Sequence, residues 1–448
     1  MTAHTGAASG SAGRPLERLP LRQLYQLVVY WFGINAIWGG LNIVLQERIP
    51  PLAPAGEGGR YLAFLDIAAM IVAVLVQPTV GAISDYTISR WGRRKPYIAI
   101  GAVLDVVFLV GIATSQTYLS IFAFVVLLQF SSNFAQGPFQ GFIPDLVPAG
   151  QVGLASALVG AMSILGVIGG TILVSAGYAL GSFAAPTIGL GLIELATAIG
   201  TLVWVRDRRA PKDRAGRSWA TIARQAWGRD VLLERSFMWL VGSRLFVLAA
   251  IAVLTKLVVL YMARSLEMSV GDRSFWVPAT SVLVALTIVV STLPAARISD
   301  RVGRKPVIYA SCAIGAAGAT IAAVAPTVLV AEAGVLLLAI AAGAFLSVDW
   351  ALMTDIIPKA SSGRYMGISN VATACAGPLA LVLGGTLMDV VGGPEEAGSG
   401  PRAAFGVAVV LFGLGALLLT QVDERRRDDV VPGEVLLGSI VEAERAIL

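Results

Sequence analysis

Side-chain amides recur at helical spacing in two stretches that are otherwise apolar. Asn35, Trp38, Asn42 and Gln46 lie 3, 4 and 4 residues apart, and Gln129, Asn133, Gln136 and Gln140 lie 4, 3 and 4 apart. Each set therefore occupies one face of a helix. Amides supply paired donors and acceptors and an indole supplies an apolar ring face, which together suit a neutral polyhydroxylated solute. An unpaired amide in lipid costs several kcal/mol, so both faces must meet protein or water. Binding a solute and joining helices by hydrogen bonds are the two uses open to them.

Ionisable groups inside apolar runs form a second class, and they mark functional sites by default. Arg244 and Lys256 share one such run and Asp349 sits in another. Arg244 lies about 10 Å from the inner end of its helix. Asp349 reaches a similar depth on a helix running the other way, so the two are expected to pair as a coupling site. Lys256, near the outer end, is expected to snorkel. For Asp66, Asp105 and Glu194, packing, an interfacial position and proton carriage all stay open.

Other chemistries find no residues to carry them. The single histidine, His4, lies in a Gly/Ala/Ser-rich leader, and Cys312 and Cys375 are far apart with no CxxC or Cys/His cluster, so neither a disulfide framework nor a metal site is legible. No GxxxxGK[ST] phosphate loop is present, which excludes a nucleotide-driven pump on this chain. No cofactor, no metal and no enzymatic activity are expected.

Long apolar helices must position these residues. Of 448 residues, 56% are apolar and 14% charged, with a mean hydropathy of +0.78; soluble proteins run at roughly 45–50% and about 25%. The composition is that of an integral membrane protein. Unbroken apolar runs exclude a β-barrel, whose strands alternate over about 10 residues. At roughly 20 residues per span, twelve runs qualify: 24–46, 61–83, 97–115, 118–145, 153–177, 184–205, 237–260, 276–296, 307–325, 328–354, 365–390 and 403–421. With the N-terminus inside, 26 of the 33 Lys and Arg fall in cytoplasmic segments, 5 outside and 2 within spans. This bias predicts both termini in the cytoplasm, in a plasma or bacterial inner membrane. The net charge of +5 is then a topological signal and not a nucleic-acid footprint.

The predicted organisation is a disordered cytoplasmic leader (1–23), a six-helix bundle (24–205), a cytoplasmic linker (206–235), a second six-helix bundle (236–421) and a cytoplasmic tail (422–448). In the linker, Trp219, Ile222 and Ala226 share one helical face while Arg217 and Arg224 point elsewhere. This suits a basic amphipathic helix on the inner leaflet, an irregular solvated linker being the alternative.

The two bundles carry an internal repeat. GAISDYTISRWGRRKP ends the second span and AARISDRVGRKP ends the eighth, so Asp85 matches Asp300 and Gly92 matches Gly303, with four extra residues in the first copy. FIPDLVP and LMTDIIP likewise match Asp145 to Asp355 at an offset of 210. Matching loops at one offset make the halves structural copies, as expected of a secondary transporter working by alternating access. Asp85, Arg90, Arg93, Arg94, Asp145, Asp300, Arg301, Arg304 and Asp355 are then expected at the inner surface as gate residues, charges that pair when that side is shut and separate when it opens. Anchoring the topology against anionic lipid is the alternative use of the basic cluster. Arg244 and Asp349 have no counterpart at the offset, since position 139 is Phe139.

These loops resemble the hallmark of the major facilitator superfamily, and the resemblance covers essentially the whole chain. SRWGRRKPYI followed by NFAQGPFQGFIPDL is similar, more narrowly, to the plant sucrose/proton symporters and their animal and bacterial relatives among the glycoside:cation symporters. The plant pattern has an arginine where this chain offers Gln140. The resemblance implies an all-α membrane fold of twelve helices in two pseudo-symmetric bundles, with the first, fourth, seventh and tenth helices lining a central cavity. It implies a monomer that moves a small-molecule substrate with a coupling cation, H+. It also implies that Asp145 takes the coupling proton, whereas the repeat symmetry argues that Asp145 belongs to the gate. The leading function is proton-coupled symport of a neutral sugar or glycoside. The alternative is a proton-antiporting exporter of a drug or secondary metabolite.

Overall fold

The computed structural model describes residues 18–148, 151–205, 214, 216, 218–221, 234–356, 362–393 and 398–423. Twelve helices are long and apolar enough to cross a membrane, and no strand occurs among the described residues. They are α1 (Leu21–Leu52), α2 (Gly58–Ser84), α3 (Lys95–Thr114), α4 (Tyr118–Gln140), α5 (Val152–Ala179), α6 (Ala184–Trp204), α7 (Arg235–Ser265), α8 (Val270–Val302), α9 (Arg304–Val324), α10 (Val328–Ile356), α11 (Val371–Gly392) and α12 (Ser399–Leu419). The start of the leader, most of the linker and the end of the tail lie outside the described residues. Of the expected amphipathic helix only a turn around Trp219 is described, with the Arg214 guanidinium 4.8 Å from the indole centre.

Two span boundaries differ from the sequence reading for local reasons. The fourth span, read as 118–145, ends at Gln140, because Pro138 interrupts the ladder and Gly141 turns the chain into a short helix, Phe142–Leu146, that carries Asp145. A Cβ on Gly141 would lie 1.4 Å from Arg94 Nη1, so only glycine admits the guanidinium there. The eighth span, read as 276–296, runs from Val270 to Val302. In the first copy of the repeat the extra residues unwind the chain after Ser84, before Gly92 at φ 101°. In the second copy the helix runs straight to Gly303 at φ 94°. Both glycines occupy the left-handed region that a side chain disfavours.

Contacts divide the chain into two units. Unit 1 comprises Met1–Pro54, Phe64–Ala226 and Met268–Ser281; unit 2 comprises Ala55–Ala63, Trp227–Glu267 and Val282–Leu448. Inside unit 1, α1 packs on α5 and α6, and α3 on α4 and α6. Inside unit 2, α7 packs on α11 and α12, and α9 on α10 and α12. The repeat read in the loops thus extends to the helix pairings. Small residues permit the closest approaches: a Cβ on Gly170 would lie 1.9 Å from the Ala36 carbonyl in unit 1, and one on Gly318 2.6 Å from the Gly334 carbonyl in unit 2. Such contacts bring backbones together in membranes, where hydrophobic association between helices is lacking.

Candidate functional site

In unit 1, α1 and α4 present the two amide sets. Asn35 is half-buried, and its Nδ2 donates to the Trp31 carbonyl at 2.8 Å and to Ser163 Oγ on α5 at 3.2 Å. Asn133 is buried, and its Nδ2 donates to the carbonyl and to Oε1 of Gln129, at 2.7 and 2.9 Å. Both side chains spend their nitrogen on the preceding turn and keep a carbonyl oxygen to offer. Trp38, Asn42, Gln129 and Gln136 are half-buried, Gln46 is buried and Gln140 is exposed. Trp38 also packs against a buried cluster of Leu24, Ile34, Phe139 and their neighbours.

At one end of unit 1 a network of ion pairs joins the α2–α3 turn to the segment after α4. Asp85 Oδ1 receives Arg94 at 2.8 Å and faces Arg93 at 3.8 Å. Asp145 Oδ2 receives Arg94 at 2.9 Å and is also paired with Arg93. Both arginines are buried. Lys95 donates to the Leu202 carbonyl at 2.6 Å, tying the start of α3 to the end of α6. Arg90 is exposed and lies over the Trp91 ring.

The second copy is looser. Asp300 in the last turn of α8 accepts from Arg304 at the start of α9 at 2.6 Å, with the Asp300 side chain 64% exposed, and Arg301 is exposed. Lys305 repeats the role of Lys95 by donating to the Val422 carbonyl beyond α12. Asp355 lies in the last turn of α10, and its side chain is outside the described residues.

The charged residues inside unit 2 do meet. Arg244 on α7 pairs with Asp349 Oδ2 on α10, both almost fully buried. The guanidinium also donates to Thr373 Oγ1 on α11 at 3.2 Å and lies 5.4 Å from the Trp350 ring centre. Asp349 Oδ1 has no hydrogen-bond partner among the described residues. The site thus holds a neutral ion pair with one acceptor unused.

Several polar contacts escaped the sequence reading. Glu47, near the C-terminal end of α1, receives Arg273 at 3.1 Å and Tyr178 Oη at 2.8 Å within unit 1. Within unit 2, Asp389 caps the start of α2, accepting from Gly59 and Arg60 backbone N–H groups at 2.9 and 2.8 Å. The partners in each case are more than a hundred positions apart, and no local spacing marks them. Among the described residues no cluster of His, Cys, Asp and Glu could hold a metal ion.

Two bundles with matching helix pairings, repeated glycine–arginine turns and buried charge within the helices agree with the chain's likeness to known proteins. The sequence pattern of the Major Facilitator Superfamily matches residues 27–280 and 245–447. The chain belongs to the major facilitator superfamily. Among curated relatives of this superfamily member, a sucrose transport protein of rice (Oryza sativa) is 28% identical over 145 residues, covering 28% of this chain and 27% of that protein. A membrane-associated transporter protein of Homo sapiens is 30% identical over 172 residues, covering 32% of each. The match therefore spans about a quarter to a third of the length of these relatives. In fold, the chain is similar to a bacterial homologue of the human lysosomal transporter Spinster, with a TM-score of 0.71 at 12% identity over 91% of this chain and 98% of that one. It is likewise similar to the nucleoside transporter NupG, with a TM-score of 0.67 at 16% identity over 89% of this chain and 98% of that one. This superfamily member is an integral membrane protein, and its family and fold are those of non-enzymatic transporters.

Proposed function

We propose that this transporter is a proton-coupled symporter of a neutral sugar or glycoside working by alternating access, as a monomer with both termini in the cytoplasm of a plasma or bacterial inner membrane. The observation that carries the reading is the pair of amide faces on α1 and α4. Asn35 and Asn133 are each oriented by hydrogen bonds from their nitrogen and keep a carbonyl oxygen for a solute hydroxyl. Trp38 supplies an apolar ring between the α1 amides. Curated relatives bearing the name sucrose transport protein support a carbohydrate.

Coupling is assigned to Asp349 with Arg244. Asp349 keeps one oxygen free while the other is ion-paired, so a movement that draws the arginine away leaves a buried carboxylate that a proton neutralises. Asp145, whose Oδ2 is paired with both Arg93 and Arg94, is placed with Asp85 in the inner gate, in line with the repeat symmetry. The test is uptake of a labelled sugar panel into proteoliposomes under an imposed proton gradient. Accumulation driven by acid outside supports the reading. Expulsion of solute against proton entry would instead make the protein an exporter.

A further inference from the structure

Deep in unit 1, four polar side chains meet away from the groups discussed so far. Tyr30 on α1, Asp105 on α3, Ser131 on α4 and Glu194 on α6 are all fully buried. Tyr30 Oη donates to Glu194 Oε1 at 2.8 Å, Ser131 Oγ donates to Asp105 Oδ1, and the two carboxyl groups are hydrogen-bond neighbours. The remaining oxygens, Asp105 Oδ2 and Glu194 Oε2, meet no donor among the described residues. Both acids sit halfway along their helices, about 15 Å from either end.

Among the described residues no cation pairs with them. On α4 and α5 there is no charged residue, and on α6 Glu194 is the only one. Lys95 on α3 lies about 15 Å along the helix from Asp105 and is occupied by the Leu202 carbonyl. On α1, Arg22 and Glu47 lie near the ends, and Arg48 donates to the Ile112 and Ser115 carbonyls. The ionisable groups of α2, Arg60 and Asp66, lie in the first third of that helix.

Two carboxylates in contact, with no cation and no water shell, repel each other and are each poorly solvated. One proton relieves both problems. The O–H of one acid donates to the free oxygen of the other, the pair falls from two negative charges to one, and the Tyr30 and Ser131 hydroxyls stabilise the charge that remains.

We propose that Asp105 and Glu194 form a proton-binding site in unit 1, holding one proton between them, and that Tyr30 links its occupancy to the amide face of α1. The link is short. Trp31, the residue after Tyr30, accepts the Asn35 amide through its carbonyl, so a solute that engages Asn35 acts on the turn that aims Tyr30 at Glu194. The unit 2 counterpart argues that the scaffold does not require these acids. Gly315, at the repeat offset from Asp105, meets the ring of Phe412 on α12, an apolar contact where unit 1 has an acid pair. The proton site stands on the geometry of unit 1 alone, and the link to solute rests on the symport reading.

Infrared spectroscopy on the full chain in lipid nanodiscs tests this. The wild-type protein at neutral pH should give the carbonyl stretch of a protonated carboxylic acid, shifting on H/D exchange. It should vanish in the Asp105→Asn, Glu194→Gln double variant. A wild-type spectrum with no such stretch overturns the proton site, and so does a stretch that survives unchanged in the double variant. Tyr30→Phe removes a donor to the ionised form, so the acid should hold its proton to higher pH; an unmoved titration overturns the link through Tyr30. Proteoliposomes that take up no sugar while the acid stretch is present defeat the symport reading and leave the proton site in place.

Discussion

The crossing of α3 with α6 in unit 1 and that of α9 with α12 in unit 2 occupy the same place in the repeat. Both are tied at one end by a lysine that donates to the final carbonyls of the partner segment, Lys95 to Leu202 and Lys305 to Val422. At mid-span they part. Unit 1 sets Asp105 against Glu194, while unit 2 sets Gly315 against Phe412, closely enough that a Cβ on Gly315 would lie 2.4 Å from the ring. Unit 2 buries its charge elsewhere, as the Arg244–Asp349 ion pair. A repeated packing scheme thus constrains backbones and helix neighbours, while the charge placed inside each unit is free to diverge. The crossing that sets two acids together with no cation on its helices near them needs a proton, and the matched pair of unit 2 does not until it is parted.

The largest effect is expected where that matched pair is broken. Arg244→Ala strands a buried carboxylate and should cost about 3–5 kcal/mol, read as a lowered thermal midpoint of the purified protein. Arg244→Met with Asp349→Leu should restore most of that stability while gradient-driven accumulation stays lost. Accumulation by the double variant would reduce the pair to packing. Asp349→Asn alone should abolish accumulation yet leave equilibrium exchange of solute measurable, since exchange need not pass through deprotonation. Smaller, but still large, is the response of the Asp85–Arg93–Arg94–Asp145 network of unit 1. Arg93→Ala removes charge-assisted contacts to Asp85 and Asp145 worth about 1.5–3 kcal/mol. It should slow transport with solute affinity unchanged, because a gate residue alters the balance of conformations and not the binding groups. Equal loss of affinity would place Arg93 in the binding site.

How far the sequence reached follows from the range of each signal. The amide faces, the repeated turns and the twelve spans are local patterns of period or composition, and all were legible. The pairing of Arg244 with Asp349 was legible because the depth of each along its helix can be counted. Within the basic cluster, sequence could not separate Arg90 from Arg93 and Arg94; the turn at Gly92, with φ 101°, leaves the first exposed and the others buried. The partners of Glu194 were beyond reach. Tyr30 lies 164 positions away, and nothing in its neighbourhood distinguishes it from the other aromatics of α1.

The apolar crossing in unit 2 gives the next step down. Gly315→Ala places a methyl group against the Phe412 ring, an overpacking that should cost about 1–3 kcal/mol in thermal stability and leave the pH dependence of transport untouched. A shifted pH profile would mean that this crossing, too, participates in proton handling, and the contrast between the units would fail at the point where it is sharpest.

The smallest effect belongs to the second copy of the inner turn. Asp300 and Arg304 sit four positions apart on either side of the Gly303 turn, and the Asp300 side chain is 64% exposed, whereas Asp85 and Asp145 are 18% and 15% exposed against buried arginines. An exposed pair is screened by water and salt and constrains two long side chains for little return, about 0–1 kcal/mol. Asp300→Asn should therefore move the thermal midpoint far less than Asp85→Asn does, with the shift shrinking further at high salt. The two substitutions, made in parallel, measure how much the copies of one motif have diverged. Equal destabilisation would show that exposure misjudges the second copy. It would mean that Arg304, which also contacts Ser299 Oγ at 2.7 Å, depends on Asp300 for its position as strongly as Arg94 depends on Asp85.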